Sequence, residues 1–201
     1  GNGGTATLPG CQNRPISVTD FEAMKRLIAR EDISFVVIGP EVPLAQGIVD
    51  YLQQPNLKIF GPTKAGAIIE ASKSWAKELM LEAGIPTAKA AMFSSAAVAK
   101  TYLEQAPIVV KADGLAAGKG VILASTVKMA HQAIDTIFEG ELDNSNSFVV
   151  IEEFLSGQEV SVLALTDGQT IRPLIPAQDH KAIGEGDTGP RSEERRVGKE
   201  C

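Results

Sequence analysis

Residues 33–40, ISFVVIGP, form an apolar run that stops at a Gly-Pro pair. After Ser34 no polar residue interrupts it, so the pattern predicts a parallel strand buried on both faces, with a ligand-accessible loop at its carboxyl end. TDFEAMKRLIAR (19–30) precedes it and predicts an amphipathic helix. Thr19 with Glu22 three residues on is a capping-box pattern, and Phe21, Met24, Leu27 and Ile28 share a face. A second helical stretch follows, VPLAQGIVDYLQ (42–53), then another short strand, KIFGP (58–62). Helix–strand–helix–strand is the grammar of a doubly wound α/β sheet, in which ligands sit outside the carboxyl ends of the strands. Both Gly-Pro loops are therefore candidate ligand loops, although Gly-Pro also serves simply to end a strand.

The segment 63–84 reads as a helix in two pieces, ending at Gly84 in the position of a C′ glycine. IPTA (85–88) links it to a second unit. There the pattern predicts a strand at 89–93, a helix at 95–105, strands at 108–111 and 121–124, and a helix at 126–138. A strand at 148–155 and a hairpin over 159–176 around Asp167-Gly168 follow.

Bulk properties narrow the function. The chain is 44% hydrophobic with a net charge of −6, so a core is expected and a nucleic-acid surface is not. No apolar run approaches the ~18–20 residues of a membrane-spanning helix. GNGGTATLPG at the start lacks the basic and apolar segments of a signal peptide. Cys11 and Cys201 supply neither a disulfide framework nor a metal cluster, and the expected compartment is the cytoplasm. At the other end, RSEERRVGKEC (191–201) carries four basic residues, three acidic ones and one aliphatic. By composition it is a solvated charged tail. It also matches the translation of a common sequencing-adapter DNA, so it is expected to be non-native and is set apart from the fold.

VVKADGLAAGKGVILA (109–124) holds the chemistry. It is not a P-loop: Gly114 and Gly118 are separated by only three residues, Gly120 stands where a hydroxyl is needed, and a strand follows rather than a helix. A dinucleotide-binding loop must also open a helix. What remains is a strand–loop–strand flap, whose backbone N–H groups can close over phosphates with Lys119 at the tip, or which is merely a flexible hairpin. Lys111 ends an apolar strand, where a lysine is costly unless its charge is used. Glu152 and Glu153 end another apolar strand, and alternation allows only one of them to face Lys111. Between Glu152 and Glu159, the backbone of Phe154 and Leu155 can read an adenine edge, and a carboxylate such as Glu159 can accept from both ribose hydroxyls. His131 reads as a surface residue, and Trp75 and Tyr102 as packing residues.

These residues together resemble the ATP-grasp superfamily. With GPEVPLAQGIVDYL, KIFGPTKAGAIIEASKSWAKELM, GIPTA, VIEEFLSGQEVSVLALTDG and QDHKAIGEGDTGP, the chain is similar to the glycinamide ribonucleotide synthetase (phosphoribosylamine–glycine ligase) family over about residues 1–190. The resemblance implies a partial α/β domain at 1–71 and an ATP-grasp domain at 72–190, with a flap subdomain at about 86–155. It implies that Lys73 and Lys111 contact ATP, that Glu152 orients Lys111 and the adenine amine, that Leu155 offers its backbone, and that Glu159 holds the ribose. Gly114, Gly118, Lys119 and Gly120 belong to the flap over the phosphates. Gly39, Pro40 and Glu41 help bind phosphoribosylamine, and Asp179, His180 and Lys181 lie near the reacting groups. The implied partners are glycine and phosphoribosylamine, with no nucleic acid and no membrane. Mg2+ or Mn2+ is implied as well, held by residues beyond Pro190. A first strand and its glycine loop are expected before Gly1, so the parent is expected to be a ligase and this stretch alone inactive. Another ATP-grasp carboxylate–amine ligase, a non-catalytic nucleotide-binding module and an interaction domain without nucleotide remain as other readings. The QDHK…GDTGP loop speaks against the first.

Overall fold

The computed structural model describes residues 3–115, 120–140 and 148–178. The chain divides into two compact units, Gly1–Ala83 and Gly84–Cys201. Among the described residues no helix is long and apolar enough to cross a membrane.

The first unit runs α1 (Gly3–Ala6), α2 (Phe21–Arg30), β1 (Phe35–Val37), α3 (Glu41–Gln46), α4 (Ile48–Leu52), β2 (Lys58–Phe60), α5 (Lys64–Ala71) and α6 (Lys73–Glu82). β1 and β2 pair in parallel, with Val36 opposite Ile59. Val36 and Ile59 pack on a core of Ile28, Ile48, Val49 and Leu52. The alternate residues of β1 do not: Phe35 is 56% exposed and Val37 61%. The strand is thus shorter than 33–40 and covered on one face rather than two, because among the described residues the sheet has two strands and its core lies on one side of them. α2 is capped by Asp20, whose carboxylate accepts the N–H of Ala23 at 2.9 Å, and not by Thr19. The hydroxyl of Thr19 bonds instead with that of Ser17. The helix expected over 42–53 is broken at Gly47, where φ is +91°, a left-handed turn that favours glycine. The two helical pieces at 63–84 appear as expected, and Gly84 follows α6 with φ +66°.

The second unit runs β3 (Ala90–Phe93), α7 (Ala96–Tyr102), β4 (Ile108–Ala112), β5 (Val121–Ala124), α8 (Val127–Phe138), β6 (Val149–Glu153), β7 (Ala164–Thr166) and β8 (Ile171–Pro173). Four strands form an antiparallel sheet in the order β3-β6-β4-β5. One face is apolar throughout. Val110, Ala112, Ala124, Val149 and Ile151 pack against Ala99 of α7 and Ala130, Ala133, Ile134 and Ile137 of α8. Thr126 caps α8 by accepting the Met129 N–H at 3.2 Å. Tyr102 packs on Phe93 with ring centroids 5.0 Å apart. His131 departs from the surface reading: its Nε2 is buried and has no hydrogen-bond partner among the described residues.

β7 and β8 are shorter than the expected hairpin over 159–176, with one isolated bridge at Ser161–Ala177 beyond them. The turn at Asp167-Gly168 is as predicted. The Asp167 carboxylate accepts the N–H groups of Gln169 at 3.0 Å and Thr170 at 2.7 Å. The Thr170 and then the Gln169 bond hold its carboxyl below the ordinary value.

Candidate functional site

The second face of the four-stranded sheet carries charge. Side chains alternate along β4 and β6, so the residues that leave Val110 and Ile151 in the core send Lys111 and Glu152 to the opposite side. The register places Lys111 opposite Val150, with Glu152 two residues further along the same face. Diagonal neighbours at this separation are within reach of long side chains. Lys111 Nζ lies 2.6 Å from Glu152 Oε2, and the two side chains are 27% and 10% exposed. A carboxylate buried this deeply is held by its pairing, since an unpaired one would lose hydration without return. The ammonium has three donors and keeps a partly open side, so the pair presents one oriented cation on an otherwise apolar face.

The loop after β4 begins with Asp113 and Gly114. Gly114 has φ +89°, and its N–H is 3.0 Å from the Asp113 carboxylate. Gly120 closes the loop where its carbonyl accepts the Ala112 N–H at 2.7 Å. The loop therefore joins two paired strands, as the flap reading requires. Gly118 and Lys119 lie outside the described residues, as do Asp179, His180 and Lys181. Beyond β6 the chain leaves the sheet, and Leu155 is 64% exposed. Glu159 is exposed and lies in the irregular stretch before β7 rather than on a strand.

Two expected site groups belong to the first unit. Lys73 opens α6, whose N-cap Ser72 accepts the Trp75 N–H at 3.1 Å. Gly39 and Pro40 follow β1, and Glu41 opens α3, where a carboxylate suits the positive end of the helix dipole. All three are exposed. An added Cβ at Gly39 would meet nothing within 4 Å, so no packing requirement fixes glycine there. Among the described residues no group of three or more His, Cys, Asp or Glu side chains is placed to hold a metal ion.

Two charged residues went unassigned in the sequence. Lys77, one turn after Lys73 on α6, is only 3% exposed. The signal for it was there, an i, i+4 lysine pair, but such a pair also fits a solvated face. Glu153 faces away from Lys111, yet its carboxylate accepts the Lys89 N–H at 2.8 Å. Nothing in the sequence distinguishes that from a surface acid.

Comparison with known proteins agrees with this geometry. Residues 1–70 match the family model for the phosphoribosylglycinamide synthetase N domain, and residues 71–193 that for the phosphoribosylglycinamide synthetase ATP-grasp (A) domain. A phosphoribosylamine–glycine ligase of Nostoc is 66% identical over 191 residues, covering 94% of this chain and 45% of the relative. One from Synechocystis is 54% identical over 191 residues, with the same two coverages, 94% and 45%. The chain thus spans about half the length of these relatives. Among solved structures, the phosphoribosylamine–glycine ligase of Thermotoga maritima superposes with a TM-score of 0.74 at 30% identity, over 90% of this chain and 44% of that one.

Proposed function

Because this chain belongs to the phosphoribosylglycinamide synthetase family, we propose that the protein it represents joins glycine to 5-phosphoribosylamine with ATP, giving glycinamide ribonucleotide, ADP and phosphate. The Lys111–Glu152 pair carries this reading: a fixed, half-screened cation on the open face of a sheet, at the root of a glycine loop. A nucleotide fits the residues present. Lys111 offers donors to a phosphate, Glu152 sets where that ammonium sits, and the Asp113–Gly114 turn brings backbone close without a Cβ in the way.

ATP, when bound, supplies the phosphoryl group that makes the glycine carboxylate an acyl phosphate. The phosphoribosylamine amine then attacks that carbonyl, an amide forms and phosphate leaves. The roles of this chain's residues in that sequence are binding and orientation. Lys111 and Lys73 neutralise phosphate charge. Gly114, Gly118, Lys119 and Gly120 form the cover that excludes water. The backbone at Leu155 reads the base, and Glu159 accepts from the ribose hydroxyls. Gly39, Pro40 and Glu41 seat phosphoribosylamine, and Asp179, His180 and Lys181 act beside the reacting groups. A divalent cation, Mg2+ or Mn2+, belongs to the proposal with no ligand assigned among the described residues. The proposed domain limits are 1–71 and 72–190, and the proposed compartment is the cytoplasm. The ligation is assigned to the protein that continues through the rest of the relatives' length, not to these 201 residues alone.

The test is a coupled ADP-release assay on the full-length protein. ADP release should require both glycine and phosphoribosylamine, and Lys111→Ala should lower kcat/KM for ATP by about 100-fold, the scale of losing one charged stabilising contact. ADP release indifferent to either co-substrate contradicts the assignment. Turnover by the 201-residue chain contradicts the claim that more chain is needed.

A further inference from the structure

We infer that Glu153 is a positioning residue for the nucleotide site, acting by stitching the end of β6 to the start of β3 with its own carboxylate. The inference rests on the nucleotide reading of the Lys111–Glu152 face.

Lys89 and Glu153 sit opposite each other one step beyond the last registered pair of β3 and β6, Ala90–Glu152. In a regular antiparallel narrow pair each residue gives its N–H to the other's carbonyl. Half of that pattern is present: the Glu153 N–H donates to the Lys89 carbonyl at 2.9 Å. The return bond is different, because the Lys89 N–H donates to the Glu153 carboxylate, Oε1, at 2.8 Å. A charged side-chain acceptor has replaced a backbone one, and such bonds are about twice as strong as neutral ones.

The position of this substitution gives it a role. Glu153 is the last residue of β6, and the next two, Phe154 and Leu155, are 42% and 64% exposed. Glu152, immediately before it, orients Lys111 on the other face. The stitch therefore clamps the point where the chain leaves the sheet, between the residue that aims the lysine and the backbone proposed to read the base. The Glu153 side chain lines a cavity of about 530 Å³ with Lys89, Tyr102, Ile108 and Ile151, on the face away from Lys111, so its carboxylate is not placed to touch the nucleotide. Its effect passes through the backbone of β6.

The experiment compares Mg-ATP affinity of the full-length protein as wild type, Glu153→Met, Glu153→Gln and Lys111→Ala, by calorimetry, with thermal midpoints measured beside it. Met keeps the length without the acceptor, and Gln keeps an oxygen acceptor without the charge. Glu153→Met should bind about tenfold more weakly, corresponding to ~1.4 kcal/mol. Glu153→Gln should recover to within about threefold, the smaller loss expected when a neutral acceptor replaces a charged one. Lys111→Ala should bind about 30-fold more weakly, a larger loss than either Glu153 variant. A purely structural role would lower the thermal midpoint and leave the affinity of the folded chain unchanged. Unchanged affinity in Glu153→Met with binding weakened in Lys111→Ala overturns the inference alone, and so does equal loss in the Met and Gln variants. No binding by the wild type overturns the nucleotide reading, and this inference with it. Independent of any substitution, the Lys89 amide should exchange slowly with deuterium in the wild type, and fast exchange there removes the stitch.

Discussion

Two apolar runs look alike in the sequence and end differently in the fold. SFVVI around β1 and IVVKA at β4 are both short, β-branched and bounded by turn residues. β4 lies inside a four-stranded sheet with two helices on one face, so Val110 is fully buried. Among the described residues β1 has one paired neighbour, and there Phe35 and Val37 are open. Burial is conferred by the number of strands and layers around a run, and the run does not carry that information. The same difference governs charge. A surface pair in the first unit, Arg26–Glu22, is 70% and 63% exposed, whereas Lys111–Glu152 in the second is largely shielded.

The contrast in apolar burial can be broken with two truncations. Ile134→Ala, in the core under the four-stranded sheet, should cost about 2–5 kcal/mol of stability, as buried truncations do. Phe35→Ala should cost no more than about 0.5 kcal/mol, as for exposed positions. Chemical denaturation of both variants measures this, and an equal cost means that the open face of β1 is in fact covered.

The contrast in charge is the next largest. Glu152→Ala strands Lys111 and should cost about 1–3 kcal/mol without any ligand. Glu22→Ala, at the surface pair, should cost about 0–0.5 kcal/mol. If salt erases both effects equally, the shielding of the Lys111 pair is wrong.

Two glycines of the first unit sharpen the picture. Gly47→Ala forces a Cβ into a left-handed turn, with Lys64 Cβ at 3.4 Å, and should cost about 1–2 kcal/mol. Gly39→Ala meets open space and should leave the thermal midpoint unchanged. Any effect of Gly39→Ala on the KM for phosphoribosylamine then reports ligand contact.

The smallest effect concerns pH. The folded carboxyl of Asp167 lies below its ordinary value of 3.8, so the unfolded chain takes up the proton first as pH falls. Its contribution is full above that value, fades as pH falls through the lowered folded value, and is absent in Asp167→Asn. Protection of the Gln169 and Thr170 amides, measured relative to their intrinsic exchange, should fall only in that acid window. A change near neutral pH would contradict the assignment.

Much of the site was readable because it depends on period. Strand alternation alone put Glu152 and Glu153 on opposite faces, and strand–loop–strand order excluded a P-loop. The Asp167-Gly168 turn and the C′ Gly84 were readable from local chemistry. What escaped depends on register and layer count. Thr19 and Asp20 are both good caps one residue apart, and only the path of the incoming chain chooses Asp20. The end of β1 at Val37 follows from its partner's length. Which glutamate meets Lys111 is fixed by the pairing Lys111–Val150 across β4 and β6, and the spacing in the chain does not encode it. Likewise Lys77 is buried by packing, and Glu153 gains its role from sitting opposite Lys89.

The central claim is that Lys111 and Glu152 act as one unit in holding ATP. A double-mutant cycle in Mg-ATP affinity, with Lys111→Met, Glu152→Gln and the pair together, tests it most directly. The account predicts strong non-additivity: each single variant should lose about 30-fold or more, and the double variant little beyond that, because either change removes the oriented cation. Additive losses, or a Glu152→Gln variant that binds as the wild type does, would contradict it.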